Sequence, residues 1–398
     1  MTQPGEVPST RRALDDEAAV REKLGLLHEL AGTWKGRGFS LIARPNFHDK
    51  ANLYLQLNQT DETLTVTPIG SAIPNRGFGQ NDIELFGLSY LQEIYDQYTG
   101  CCLHLEPGLW ITQPSTTFPP EYPPPGGSII ARMAAIPHGS AALAQGNAIR
   151  FTGTPTLSPQ DGTQLQAGTQ IYHGSVFRSF NSTPFLADPL IINAHGSSEE
   201  KNRTQIPFRP FDEYNLSKPA SQACPRTPFG TNPPERNLPP QIKGIDIQDV
   251  INDPIRLLQA VIEEQAARQC TFKGVALNIA TQDTVAFWLC RNSPPKGPIV
   301  NARVKGAAGG IENILFLEGR ELAGGQAPNA QTALVYATFW IEEVTDRRGR
   351  RFMQLQYAQM AVLRFPIFQL LNPPGRCPGR LVNLGWPHIS VATLRKAP

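Results

Sequence analysis

The chain has 398 residues, 40% apolar and 18% charged, with a formal net charge of +2. That length suits one large barrel with insertions or two ordinary domains, and it can bury a sizeable core. Near-neutrality without an extended basic patch argues against a nucleic-acid partner, and the lack of a run of roughly 20 apolar residues argues against a membrane-spanning helix.

The 37 prolines and 34 glycines fit many short strands joined by turns better than a helical protein. Residues 1–14 read as disordered. The charged stretch from Glu6 to Glu17 does not resemble a signal peptide. Six cysteines show no C-x-x-C spacing, so the expectation is a cytoplasmic protein with reduced thiols.

Along the chain, Val20, Leu24, Leu27 and Leu30 recur at helical spacing, which predicts a short helix plugging or flanking a barrel mouth. Strand patterns follow at Trp34–Ala43, Ile83–Ile94, Cys102–Thr112, Ile129–Ile136 and Ala141–Thr152. Leu53–Leu57 and Leu64–Pro68 read as a hairpin turning at Gln59-Thr60-Asp61-Glu62. Residues 15–180 form an N-terminal barrel half. Residues 181–244 form a Pro-rich irregular insertion or linker, with nine prolines between Pro207 and Pro240. A second short helix is expected from Asp253, with Pro254 at its first position and a stripe of Ile255, Leu258, Val261 and Ile262.

Strands resume at Phe272–Ala280, Thr284–Leu289, Ile311–Leu317, Ala333–Val344, Phe352–Phe365 and His388–Arg395. Residues 245–398 are thus a C-terminal barrel half, with a second barrel as the alternative. The run Asp346-Arg347-Arg348-Gly349-Arg350-Arg351 reads as a charged hairpin tip rather than a phosphate contact. All the long periodic segments but two are strands, which argues for an all-β barrel or sandwich.

Four stretches carry chemistry. Gly32, Trp34, Gly36 and Gly38 share one face of a strand, so either a neighbouring element packs closely there or a flat ligand lies against it. His104, Glu106, Gly108 and Trp110 share another face, lining solvent or a lumen. Pro137-His138-Gly139 sits at a turn on the rim. At the C-terminus His388, Ser390 and Ala392 share a face, leaving an imidazole beside two small side chains. Such an imidazole can reach the iron of a planar macrocycle, although a histidine at such a place is more often structural.

In order, these four stretches resemble the nitrobindins: Gly-x-Trp-x-Gly-x-Gly at Gly32–Gly38, His-x-Glu-x-Gly at His104–Gly108, a Pro-x-Gly turn at Pro137–Gly139, and Pro387-His388 ahead of Ala392-Thr393-Leu394-Arg395. The resemblance covers roughly residues 28–150 and 333–396. About 180 residues between them have no counterpart in the family, and His138 replaces its threonine.

The resemblance implies an all-β, calycin- or lipocalin-like antiparallel barrel of ten strands that binds haem b. His388 would be the metal ligand, with Gly32, Trp34, Gly36 and Gly38 on the signature strand near the cofactor. It also implies nitric oxide binding and isomerisation of peroxynitrite to nitrate, whereas the added length and the additional histidine point instead to peroxidase-type or biosynthetic oxidation. Either way a small oxidant or nitrogen oxide is the expected ligand. His104 or His138 would then serve as catalytic acid or base. Whether the chain turns over a substrate is left open, as is a homodimer. Two other readings stand beside this one: a metal-free barrel that carries or cyclises an apolar small molecule, and a non-catalytic interaction domain docking through its Pro-rich segment.

Overall fold

Residues 17–46, 51–75, 82–112, 127–136, 140–155, 157, 164–166, 169–170, 185–186, 239–281, 309–313, 321–322, 325–326, 331–369 and 380–398 are described by a computed structural model. Ten long strands carry the architecture: β1 (Gly32–Asn46), β2 (Ala51–Pro68), β3 (Ile83–Asp96), β4 (Cys102–Thr112), β5 (Gly127–Ile136), β6 (Ser140–Thr152), β7 (Thr271–Ala280), β8 (Gln331–Thr345), β9 (Arg351–Gln369) and β10 (Arg380–Lys396). Each pairs antiparallel with the next. β10 then returns to β1, from Trp34 opposite Lys396 to Ile42 opposite His388. Closure leaves no open edge between these strands. The result is an all-β antiparallel barrel, which decides between the barrel and the sandwich that the strand texture leaves open.

β6 and β7 are separated by more than a hundred residues of sequence yet pair directly, with Thr152 opposite Lys273 and Gln145 opposite Ala280. Both halves of the chain therefore build one barrel. A short strand, Gly309–Asn313, pairs with the start of β6.

The expected hairpin between Leu53 and Pro68 does not form. β2 runs unbroken through Gln59-Thr60-Asp61-Glu62. Thr60 and Glu62 are buried, because alternate side chains of a strand point inward and here the inward ones are polar. Polar residues that line a lumen had the composition of a turn.

At one end, α1 (Glu17–Leu24) and a 3-10 turn (Gly25–Leu30) close the barrel. The stripe Val20, Leu24, Leu27 and Leu30 is buried as predicted. It packs in one core with Trp34, Leu64, Leu88, Trp110, Ile130 and Phe339. The Trp34 Nε1–H donates to the Leu30 carbonyl at 2.8 Å, which ties the plug to β1. Gly32, at φ +125°, turns the chain from plug into strand.

Two helices cover the outer wall. α2 (Ile247–Asn252) is too short for its periodicity to show in sequence. α3 (Arg256–Ala267) starts slightly later than predicted, because Asp253–Ile255 forms a leading turn. Its buried face includes Leu258, Val261 and Ile262, each worth roughly 1.5–3 kcal/mol when removed from water. Gln356 Nε2 donates to the Leu258 carbonyl at 3.2 Å, and Gln265 Nε2 to Gln354 Oε1 at 2.7 Å. Ala276, Trp340, Ala358, Ile389 and Val391 are buried alongside the inward-facing residues of the same strands. β7–β10 are thus covered on both faces, which explains their lack of clean alternation. The predicted strand Thr284–Leu289, the Pro137-His138-Gly139 turn and nearly all of the Pro-rich segment lie outside the described residues.

Candidate functional site

The lumen changes character along its axis. Near the plug it is lined by Trp34, Leu64, Leu355 and Leu394. Moving away from the plug, the inward positions of β1 run Gly36, Gly38, Ser40 and Ile42, facing Leu394, Ala392, Ser390 and His388 on β10. β2 contributes Glu62, Thr60, Asn58 and Gln56 at the same levels. β9 adds Tyr357, Gln359 and Ala361 opposite Ala392, Ser390 and His388. An apolar floor gives way to a polar upper half.

His388 is half-buried on this inward face. Its Nε2 lies 3.4 Å from Ser40 Oγ, and Ser40 Oγ lies 3.5 Å from Ser390 Oγ. The sequence expectation of an inward imidazole beside small side chains matches this arrangement.

Below it, two carboxylates are held in contrasting ways. Glu106 is almost fully buried and ion-paired with Arg132. Arg132 Nε donates to the Tyr90 hydroxyl at 2.9 Å, and that hydroxyl donates to Glu106. Arg132 Nη1 donates to Gln359 Oε1 at 2.8 Å, and its guanidinium stands 5.2–5.5 Å from the ring centres of Tyr90, Trp110 and Phe339. Burial by itself would raise the Glu106 carboxyl, but the Arg132 charge, with His104 and Tyr90, overrides it and brings the carboxyl down to about 2.

Glu62 has neutral hydrogen-bond partners. The Tyr357 hydroxyl donates to Oε2 at 2.5 Å and Thr60 Oγ1 to Oε1 at 2.6 Å, while Gln92 Nε2 donates to the Tyr357 hydroxyl at 3.1 Å. Here burial prevails over those bonds, and the carboxyl is pushed up to about 7. One lumen thus holds an ionised acid and an acid that titrates near neutrality.

The sequence-predicted residues do not all come together. His104 Nε2 sits 3.1 Å from Glu106 Oε2, inside the barrel. The face shared by His104, Glu106, Gly108 and Trp110 is the lumen side, while Leu105 points out and is exposed. His138 lies outside the described residues. Trp34 packs at the plug, eight residues along β1 from the position facing His388, or roughly 27 Å at about 3.4 Å per residue.

The glycines of the signature strand are there for close packing. A Cβ on Gly38 would stand 2.5 Å from the Val391 carbonyl oxygen and 2.7 Å from Thr60 Oγ1, and against Glu62 as well. One on Gly36 would stand 2.8 Å from the Leu394 Cα. Gly38→Ala is therefore expected to lower stability by about 1–3 kcal/mol through overpacking, read from urea midpoints. An unchanged midpoint would mean that the strand has room there after all.

Arg132, Tyr90, Glu62, Tyr357 and Gln359 were not singled out by sequence reasoning. The available signal was Arg132, the lone charge in the apolar run Ile129–Ile136, since a charge at such a place calls for a partner. Among the described residues no group of three or more His, Cys, Asp or Glu side chains is arranged to hold a bare metal ion. Nor, among them, is any helix long and apolar enough to cross a membrane.

No family model and no curated protein matches the sequence. Among solved structures, the crystal structure of Rv2717c from M. tuberculosis aligns with 95% of this chain and 99% of that one, at 10% identity and a TM-score of 0.29.

Proposed function

We propose that the polar end of the barrel binds haem b with His388 as axial ligand, and that the protein handles a small oxidant or nitrogen oxide there. The observation that carries this reading is the half-buried, inward imidazole with Ser40 and Ser390 beside it. Imidazole is a good axial ligand, and the flanking serines are too small to block a macrocycle. Ile42 and Ala361, which share its register on either side, carry no charge that would oppose an apolar ring. A bound haem would supply a redox-active iron to the oxidant.

The chain's own residues would do the rest. With Ser40 at Nε2, Nδ1 would be the nitrogen that takes the iron, and Ser40 would orient the ring as an outer partner does for metal-bound histidines. Gln359, fixed by Arg132, stands opposite Ser390 on the strand next to the one that bears His388. His104 and Glu62 are the groups suited to moving a proton inside the lumen.

Titration of the purified chain with hemin tests the reading. Saturable growth of a Soret band at one equivalent is expected, with its position shifted or its intensity lost in His388→Ala. Hemin that binds without saturation, or identically to both proteins, would sink it. Peroxynitrite decay and peroxide-dependent dye oxidation by the loaded protein then separate isomerase from peroxidase chemistry.

A second reading has its own support in the polar network of Glu62, Tyr357, Gln92, Arg132 and Glu106. A metal-free barrel that binds or isomerises a small molecule would use such groups to orient it. Native mass spectrometry finding an organic ligand, and no iron, would favour that alternative.

A further inference from the structure

Far from His388, at the plug end of β10, the structure forms a cleft of about 630 Å³ on the outer surface. Five arginines line it: Arg268 after the last turn of α3, Arg347, Arg348 and Arg350 from the β8–β9 hairpin, and Arg395 near the end of β10. Asp346 is the lone acid on its wall, and its oxygens are committed. Oδ1 accepts from the backbone N–H groups of Arg348 and Arg350 at 2.8 and 3.0 Å, and Oδ2 from Arg350 Nε at 2.8 Å. These bonds, with Gly349 at φ +77°, build the hairpin tip that the sequence suggested.

The charges are not accounted for within the fold. Arg268 pairs with Glu264, and Arg350 with Asp346. Arg347, Arg348 and Arg395 have no carboxylate partner among the described residues. Arg395 is held over the Phe352 ring, 3.8 Å from its centre, which fixes a guanidinium without neutralising it. Arginines near a helix C-terminus often serve its unpaired carbonyls. Here the backbone already does so: Gln269 N–H donates to Ala266 at 2.8 Å and Cys270 N–H to Gln265 at 3.0 Å, with Gln269 at φ +61°. Like charges gathered around a concavity repel one another until an anion sits between them.

We infer that this cleft is a binding site for a phosphorylated small molecule carrying two or more phosphate groups. Its volume falls in the range of small-ligand sites. Guanidinium forks match phosphate oxygens in pairs, and three separate chain segments supply them, as a multiply charged ligand would need. The site lies seven residues along β10 from His388, roughly 24 Å, so it is independent of haem binding.

Calorimetric titration of the full chain with sodium tripolyphosphate is the test. One saturable site is expected, weakened at least tenfold in Arg348→Glu and in Arg395→Gln. Arg150→Glu, the same charge change as Arg348→Glu on an exposed strand position outside the cleft, should leave affinity unchanged. Arg348 is exposed at a turn, so its variant should keep the wild-type melting temperature without ligand. Absence of saturation, or equal weakening by Arg150→Glu, would overturn the inference. Tighter binding of a single-stranded oligonucleotide than of tripolyphosphate, lost on raising salt, would overturn it too, by assigning the arginines to a nucleic-acid backbone.

Discussion

Arg132→Met is expected to lower the unfolding free energy at pH 7 by about 3–5 kcal/mol, because it strands the Glu106 charge inside the barrel. Both partners are nearly inaccessible, at 4% and 2% side-chain exposure, so water cannot take over the lost role. Tyr90 and His104 stay in place but supply no permanent charge. The methionine fills much of the space between Tyr90, Trp110 and Phe339, so cavity formation contributes little. Adding Glu106→Gln to Arg132→Met should restore a large part of the loss, since the double variant buries no net charge. Urea midpoints of the wild type, both single variants and the double variant close the cycle. A single-variant loss below about 1 kcal/mol would show that solvent reaches the pair.

A second large effect concerns Glu342, on the outer wall of β8 beneath α3. Its Oε2 accepts from Gln354 Nε2 at 2.6 Å, and Gln354 in turn meets Gln265 of α3. Oε1 has no partner among the described residues. Burial prevails over the Gln354 bond and pushes the carboxyl up to about 8. The folded state thus holds a proton that the unfolded chain releases near pH 4.5. Stability from this group is fully present below about pH 4.5 and declines as pH rises toward 8, by up to about 1.4 kcal/mol per pH unit. Above about pH 8 the loss is complete and the slope flattens.

Glu342→Gln removes the titration. The variant should be more stable than the wild type at pH 8.5 by a few kcal/mol, and about equal to it near pH 4.5. Glu62, pushed up to about 7 in the lumen, adds a slope of the same sign that persists in the variant. The informative quantity is therefore the difference between the two stability curves over pH. Parallel curves would mean that Glu342 is ionised, and hydrated, in the native protein.

The pattern of apolar alternation and turn residues was enough, by itself, to determine that this chain is all-β with a short amphipathic helix ahead of its first strand; closure into a barrel rather than a sandwich was not in it. That pattern is local: each strand must present one face to a core, and the plug must present Val20, Leu24, Leu27 and Leu30 together. The sequence also placed His388 beside Ser390 on one face, because the period of two needs no partner to be read.

Which face looks inward, and what meets there, was decided by the tertiary structure. Thr60 and Glu62 looked like a turn because nothing local distinguishes a polar lumen from solvent. Arg132 and Glu106 are 26 residues apart, and Glu62 and Tyr357 are 295 apart. Their pairing depends on barrel register and closure. The arginine cleft likewise needs α3, the β8–β9 hairpin and the end of β10 in one place. Only the closed sheet, with α3 seated on its wall, brings them there.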